Sequence, residues 1–224
     1  MKQRSRPPTG APAQRQRAPT SQTAGHSGPG RLRIIGGRWR GSRIEFPPLP
    51  GIRPSPDRVR ETLFNWLQRS IVGASCLDLF AGSGALGIEA LSRGAREVVL
   101  VDCEAQVERH LRATLQRFRA ENFQVVRADA MRYLAGPPTR FDLVFLDPPF
   151  AAGLLPRILH TLHTQPWLTP GALIYVEAPA NEPLPMWPQG WVALRSKQAG
   201  QVSYHLLRAR AESSGTGFGQ ESRA

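Results

Sequence analysis

The period of apolar positions changes along this chain and marks out its elements. Residues 1–30 hold almost no bulky apolar side chain. Such a segment cannot offset its ordering entropy, so disorder is expected there. From Leu32 the residues Arg33, Ile34, Ile35, Gly36, Gly37, Arg38 and Trp39 read on to Phe46 as two short strands around a glycine-containing turn. Next, Ser55, Pro56 and Asp57 read as a helix start with Ser55 as N-cap and Pro56 at the first helical position. Val59, Leu63, Trp66 and Leu67 recur at helical spacing through Ile71, leaving Arg58, Arg60, Glu61 and Asn65 largely on other faces.

Beyond Ser75 the pattern becomes one of short unbroken apolar runs separated by helical stretches. Cys76–Phe80, Val98–Asp102, Phe123–Ala130 and Leu143–Leu146 read as buried strands; helices are expected over about 85–92, 105–118 and 153–163. Ala172–Glu177, Trp191–Ser196 and Val202–Arg208 close the series as strands, and 211–224 returns to a loose polar tail. Strands and helices in alternation imply an open α/β sheet, with ligand sites along the carboxyl edge of its strands. Asp78, Asp102, Asp129 and Asp147 all fall at that edge.

Charge adds a location. The chain carries +12 over 224 residues, and residues 1–61 hold 13 of the 29 Lys+Arg against only Glu45, Asp57 and Glu61. A basic segment beside a near-neutral domain is the electrostatic footprint of a nucleic-acid partner, set against an Arg-rich tail that only aids solubility. Arg33, Arg38, Arg40 and Arg43 interleave with Trp39, a composition that suits phosphates and an unstacked base; packing of Trp39 against the main body is the competing reading. No apolar run approaches the ~20 residues of a membrane span, and no export signal is visible, so a cytoplasmic protein is expected. Cys76 and Cys103 lie in apolar runs without metal-ligand spacing and read as reduced core thiols, and the histidines suggest no metal site.

Two stretches carry candidate chemistry. Asp78, Leu79, Phe80, Ala81, Gly82, Ser83 and Gly84 form a strand end and a glycine-rich turn before a helix, where the backbone can approach a ligand closely. With Gly87 they satisfy G-x-G-x-x-G, a weak dinucleotide signal that leaves a nicotinamide dehydrogenase open. Asp102 is placed to accept from ribose hydroxyls, with Glu104 able to take that role. The second stretch is Asp147-Pro148-Pro149-Phe150 after a buried strand. Two prolines end the strand and stiffen the turn, so the Asp147 carboxylate and the Pro148 carbonyl can accept both hydrogens of a planar amino group while Phe150 covers a ring. Holding that nitrogen pyramidal would aim its lone pair at an electrophile.

Together, Asp78 to Gly84 and Asp147 to Phe150 resemble the cofactor and amino-methylation motifs of S-adenosylmethionine-dependent methyltransferases. Arg33 to Gly41, Arg53-Pro54 through Trp66, and Ala199 to Tyr204 resemble the bacterial 16S ribosomal RNA guanine-N2 methyltransferase family, over about residues 32–210. The resemblance implies a Rossmann-like fold with a mostly parallel seven-stranded sheet, helices on both faces, and a small N-terminal hairpin. It implies a basic tail at 1–30, an RNA-contacting hairpin at 31–50, a methyltransferase domain at 51–210 and a tail at 211–224. It further implies that S-adenosyl-L-methionine is held by Asp78, Phe80, Ala81, Gly82, Ser83, Gly84, Asp102, Asp129 and Ala130, with Arg60 and Asn65 bordering it.

On the same resemblance Asp147, Pro148, Pro149 and Phe150 grip the target base, guanine-966 of 16S rRNA, and Arg33, Arg38, Trp39, Arg40, Arg43, Arg53 and Arg58 meet RNA. No metal is needed, and a cytoplasmic monomer acting on rRNA or the small subunit is expected. The family pattern places Glu where this chain has Asp102 and Asp where it has Glu104. Two further readings stand beside this one: an adenine-N6 methyltransferase of DNA or RNA, and a non-catalytic RNA-binding factor on the same fold.

Overall fold

A computed structural model describes residues 30–46, 55–149 and 153–209. Two strands, β1 (Gly30–Arg33) and β2 (Arg43–Phe46), pair antiparallel as a separate hairpin. The main body runs α1 (Asp57–Trp66), β3 (Ser75–Asp78), α2 (Ala85–Ser92), β4 (Glu97–Asp102), α3 (Ala105–Arg117) and β5 (Phe123–Arg127). It continues through α4 (Ala130–Leu134), β6 (Phe141–Leu146), α5 (Leu155–Thr164), β7 (Leu168–Pro179), β8 (Val192–Ala199) and β9 (Val202–Arg208).

Seven strands form one sheet in the order β5-β4-β3-β6-β7-β9-β8. The first five are parallel neighbours; β9 joins β7 antiparallel and carries β8 at the edge. This is the α/β architecture expected, and the unbroken apolar runs follow from it, because β3 and β6 are covered on both faces. One face packs Cys76, Leu100, Phe145 and Tyr175 beneath α1, α2, α3 and the hairpin. The other packs Leu77, Val144, Leu146 and Ile174 beneath α4 and α5. No helix among the described residues is long and apolar enough to cross a membrane.

Several local expectations are corrected. Ser55 does not cap α1: Pro56 holds the N-cap position without a side-chain bond, and the Ser55 hydroxyl donates to Glu177 Oε1 at 2.5 Å. Arg60, read as a surface residue, is fully buried. The strand expected to end at Ala130 stops at Arg127, and Asp129 instead caps a short helix, α4, accepting from the Met131 and Arg132 amides. That helix is only five residues long, too short for a periodic signal. Cys76 is buried as expected, but Cys103 is exposed at the edge of the sheet, just past β4. Gly30, placed in the N-terminal tail, already belongs to β1. The rest of that tail, the C-terminal tail at 211–224, Arg53 and Phe150 lie outside the described residues.

Candidate active site

Strand order reverses between β3 and β6, since the chain winds outward one way through β4 and β5 and the other way through β7. At such a switch point the loops at the carboxyl ends diverge and leave a crevice. Asp78 ends β3, and Asp147 follows β6 directly. The register pairs Asp78 with Phe145 and Phe145 with Tyr175, and Leu146 with Val176. Side chains alternate faces along a strand, so Asp147 and Glu177 fall on the Asp78 face, one step nearer the rim. Asp102, two residues past the Asp78 partner Leu100, completes a row of four acids.

The glycine turn is built around two of these carboxylates. Asp78 Oδ2 accepts the Gly87 amide at 2.9 Å, drawing α2 down onto β3. A Cβ at Gly87 would lie 2.8 Å from Leu100 Cδ2 and 3.1 Å from Asp78 Oδ2, so this packing requires glycine. Gly82 and Gly84 have φ of 47° and 79°, the left-handed conformation that lets the chain turn sharply before the helix. Asp102 bridges two loops: Oδ2 accepts from Gly82 N and Oδ1 from Glu104 N, both at 2.9 Å. Glu104, the alternative ribose partner, is exposed beside it.

Electrostatics at this rim are unusual. The acids in ion pairs among the described residues are Glu45, Asp57, Glu89, Glu97 and Glu108, none of them on the rim. Burial pushes the Asp78 carboxyl up to about 7; the Gly87 and Phe80 amides oppose this, while Asp102 and Glu177 add to it. Burial, then the charges of Glu177 and Asp78, hold the Asp147 carboxyl well above the usual carboxylate range. Glu177 is also raised by burial, against the hydroxyls of Ser55 and Tyr175, which bond to its Oε1 at 2.5 and 2.8 Å and favour its charge. A rim of uncompensated carboxylates is suited to a cationic ligand.

The structure gathers Asp78, Phe80, Ala81, Gly82, Ser83, Gly84, Asp102, Asp129, Ala130, Asp147, Pro148 and Pro149 along one edge of the sheet. It does not leave Arg60 free to reach a ligand there. Arg60 is spent inside the fold, donating to Ser55 O, Arg33 O and Asp57 Oδ1. Asn65 is exposed in the last turn of α1, between Phe64, whose ring lies 6.1 Å from that of Phe145, and Trp66, which stacks on Tyr204 at 5.5 Å. Arg58 is exposed on α1. Sequence reading missed Glu177, which looked like the end of an ordinary strand; an acid closing an otherwise apolar run, beside the Asp147 strand, was the available signal.

The hairpin residues lie elsewhere. The Arg38 and Trp39 amides donate to Ser92 O and Oγ at the C-terminal end of α2, roughly 12 Å along that helix from the glycine turn. Trp39 stacks on Phe118 at 5.1 Å, and the Arg38 guanidinium sits 4.2 Å from its ring centre. Trp39 is thus half-buried against the body, as the competing reading of the sequence had it. Arg33, Arg38, Arg40 and Arg43 are exposed and remain available to phosphates.

The strand order and the acid-lined switch point are those of the Rossmann-like methyltransferases. The chain belongs to the family described as conserved hypothetical protein 95, whose sequence model matches residues 32–208. It is 49% identical over 187 residues to the ribosomal RNA small subunit methyltransferase D of Escherichia coli strain K12, covering 84% of this chain and 94% of that one. The protein of the same name from Haemophilus influenzae is 43% identical over 183 residues, covering 80% and 94%. The solved structure of the Escherichia coli protein yhhF matches with a TM-score of 0.77 and 48% identity, over 82% of this chain and all of that one.

Proposed function

We propose that this chain methylates the exocyclic N2 of a guanine in 16S ribosomal RNA, guanine-966 by the family resemblance, in the cytoplasm and with S-adenosyl-L-methionine as donor. When bound, that cofactor supplies a methyl group made electrophilic by a positively charged sulfonium. The residues present fit it: a turn with two glycines in left-handed conformation, buried Asp78 at its base, and carboxylates unpaired by any arginine or lysine among the described residues. Asp78 and the turn from Phe80 to Gly84 would hold it, with Asp102, Glu104, Asp129 and Ala130 beyond them.

The observation that carries the reading is the position of Asp147. It stands at the switch point beside Asp78, half-buried, and no protein donor among the described residues bonds to its carboxylate. On this reading the Asp147 carboxylate and the Pro148 carbonyl accept the two hydrogens of an amino group. That holds the nitrogen and stabilises the positive charge it develops as it is methylated. Exposed arginines of the hairpin and of α1 would bind phosphates of the RNA.

The test is transfer of labelled methyl to small subunits lacking the modification and to naked 16S rRNA, followed by mapping of the modified nucleotide. We expect one N2-methylguanine, and we expect Asp147→Asn to abolish it while S-adenosylhomocysteine affinity stays within a few-fold. Methylated adenine as the product, or full turnover in that variant, would overturn the assignment.

A further inference from the structure

Glu177 is a buried acid that the reaction as described so far does not use. It is 3% exposed, carries no ion pair among the described residues, and follows Val176, the register partner of Leu146, so it lies one step past the last β6–β7 pair as Asp147 does. Its Oε1 accepts two hydroxyls: Tyr175 from its own strand and Ser55 from the segment entering α1. Asp147 has no such donors. Asp147 and Glu177 stand on neighbouring strands, whose spacing is about 5 Å, and burial together with each other's charge makes it hard for both to ionise. The donors on Glu177 decide which of them keeps its charge.

Resting on the functional reading above, we infer that Glu177 is a positioning residue: held ionised by Ser55 and Tyr175, it makes Asp147 the group that receives the proton shed by the methylated amine. The amine lone pair forms the new N–C bond as the C–S bond breaks and its electron pair stays on sulfur. The nitrogen then loses a proton to the Asp147 carboxylate. Asp147 must be ionised for this, and the fixed Glu177 charge beside it strengthens it as a base. Burial raises both acids, with Glu177 and Asp78 adding to the rise at Asp147. Activity therefore climbs with pH as Asp147 gives up its proton. The other titratable groups facing this pair are Asp78 on β3, Tyr175 on β7 and Tyr204 on β9; burial, then the charge of Glu177, pushes the Tyr175 hydroxyl well above its ordinary value, so it keeps its proton near neutrality.

The experiment is the pH dependence of single-turnover methyl transfer to unmodified small subunits, with Glu177→Gln, Glu177→Asp and Ser55→Ala against wild type. Glu177→Gln removes the neighbouring charge, so the acidic limb should move to lower pH by about one unit and the plateau rate should fall about tenfold. Glu177→Asp, which keeps the charge, should return the limb toward its wild-type position. Ser55→Ala lets Glu177 take up the proton and should move the limb the same way by less; it keeps the test alive if Glu177→Gln does not fold. A limb that stays in place in the folded variants, with wild type active, overturns the role of Glu177 alone. A wild-type chain that transfers no methyl overturns the functional reading and this inference together.

Discussion

Asp78 is a buried carboxyl that the fold keeps at a cost in stability. Its carboxyl is raised from the ordinary 3.8 to about 7 by burial, so between those values the native state binds a proton that the unfolded chain does not. The resulting penalty is absent below about 4, grows through that window and is complete above about 7. Asn mimics the protonated acid and can still accept the Gly87 amide. Asp78→Asn should therefore melt several degrees above wild type at pH 8, with the gap narrowing as pH falls and closing only below about 4, and should bind S-adenosylhomocysteine much more weakly. Thermal melts across that range, with calorimetry of the ligand, check both parts; equal melting at pH 8 would contradict the account. Stability given up at a ligand site is a common trade.

At the scale of elements, the hairpin is clasped to the body by a buried acid in the middle of α2. The Glu89 carboxylate accepts the Ile35 and Gly36 amides at 2.8 Å each and the Arg93 guanidinium at 2.7 Å, with Arg60 Nη1 3.7 Å away. Arg60 in turn ties α1 to β1 through Arg33 O. Removing one partner of such a buried network leaves the others uncompensated, at a cost of about 3–5 kcal/mol. We expect Glu89→Ala to lower Tm by roughly 10 °C and to expose the Ile35 and Gly36 amides to hydrogen exchange. Unchanged protection at those two amides would show that the hairpin is held some other way.

For the whole molecule, the separation of arginines from acids matters most. The hairpin turn and the acidic rim lie at opposite ends of α2, so an RNA that reaches both must lie along the hairpin side of the protein. Phosphate contacts at the turn would supply affinity without touching the reacting base. Arg38→Ala and Arg40→Ala should thus raise KM for the RNA substrate with kcat unchanged, each reducing the slope of log affinity against log salt by about 1. Titrations at several salt concentrations measure that slope. A fall in kcat at saturating RNA would instead place the turn at the chemistry.

Much of this architecture was legible before any coordinates. Continuous apolar runs such as Leu143–Leu146 are what a strand covered on both faces requires, and an acid closing such a run sits at a carboxyl edge by the same logic. The glycines at 82, 84 and 87 marked a tight turn because only glycine tolerates that backbone and that close approach. Three features belong to tertiary structure: the partner of Ser55, the burial of Arg60 and Glu89, and the pairing of Asp147 with Glu177. Each joins residues far apart in the chain, and periodicity reports only which face of its own element a residue occupies. A polar side chain is buried when a distant group satisfies it, so an arginine in the helical pattern looks like surface until a carboxylate from another helix is placed against it.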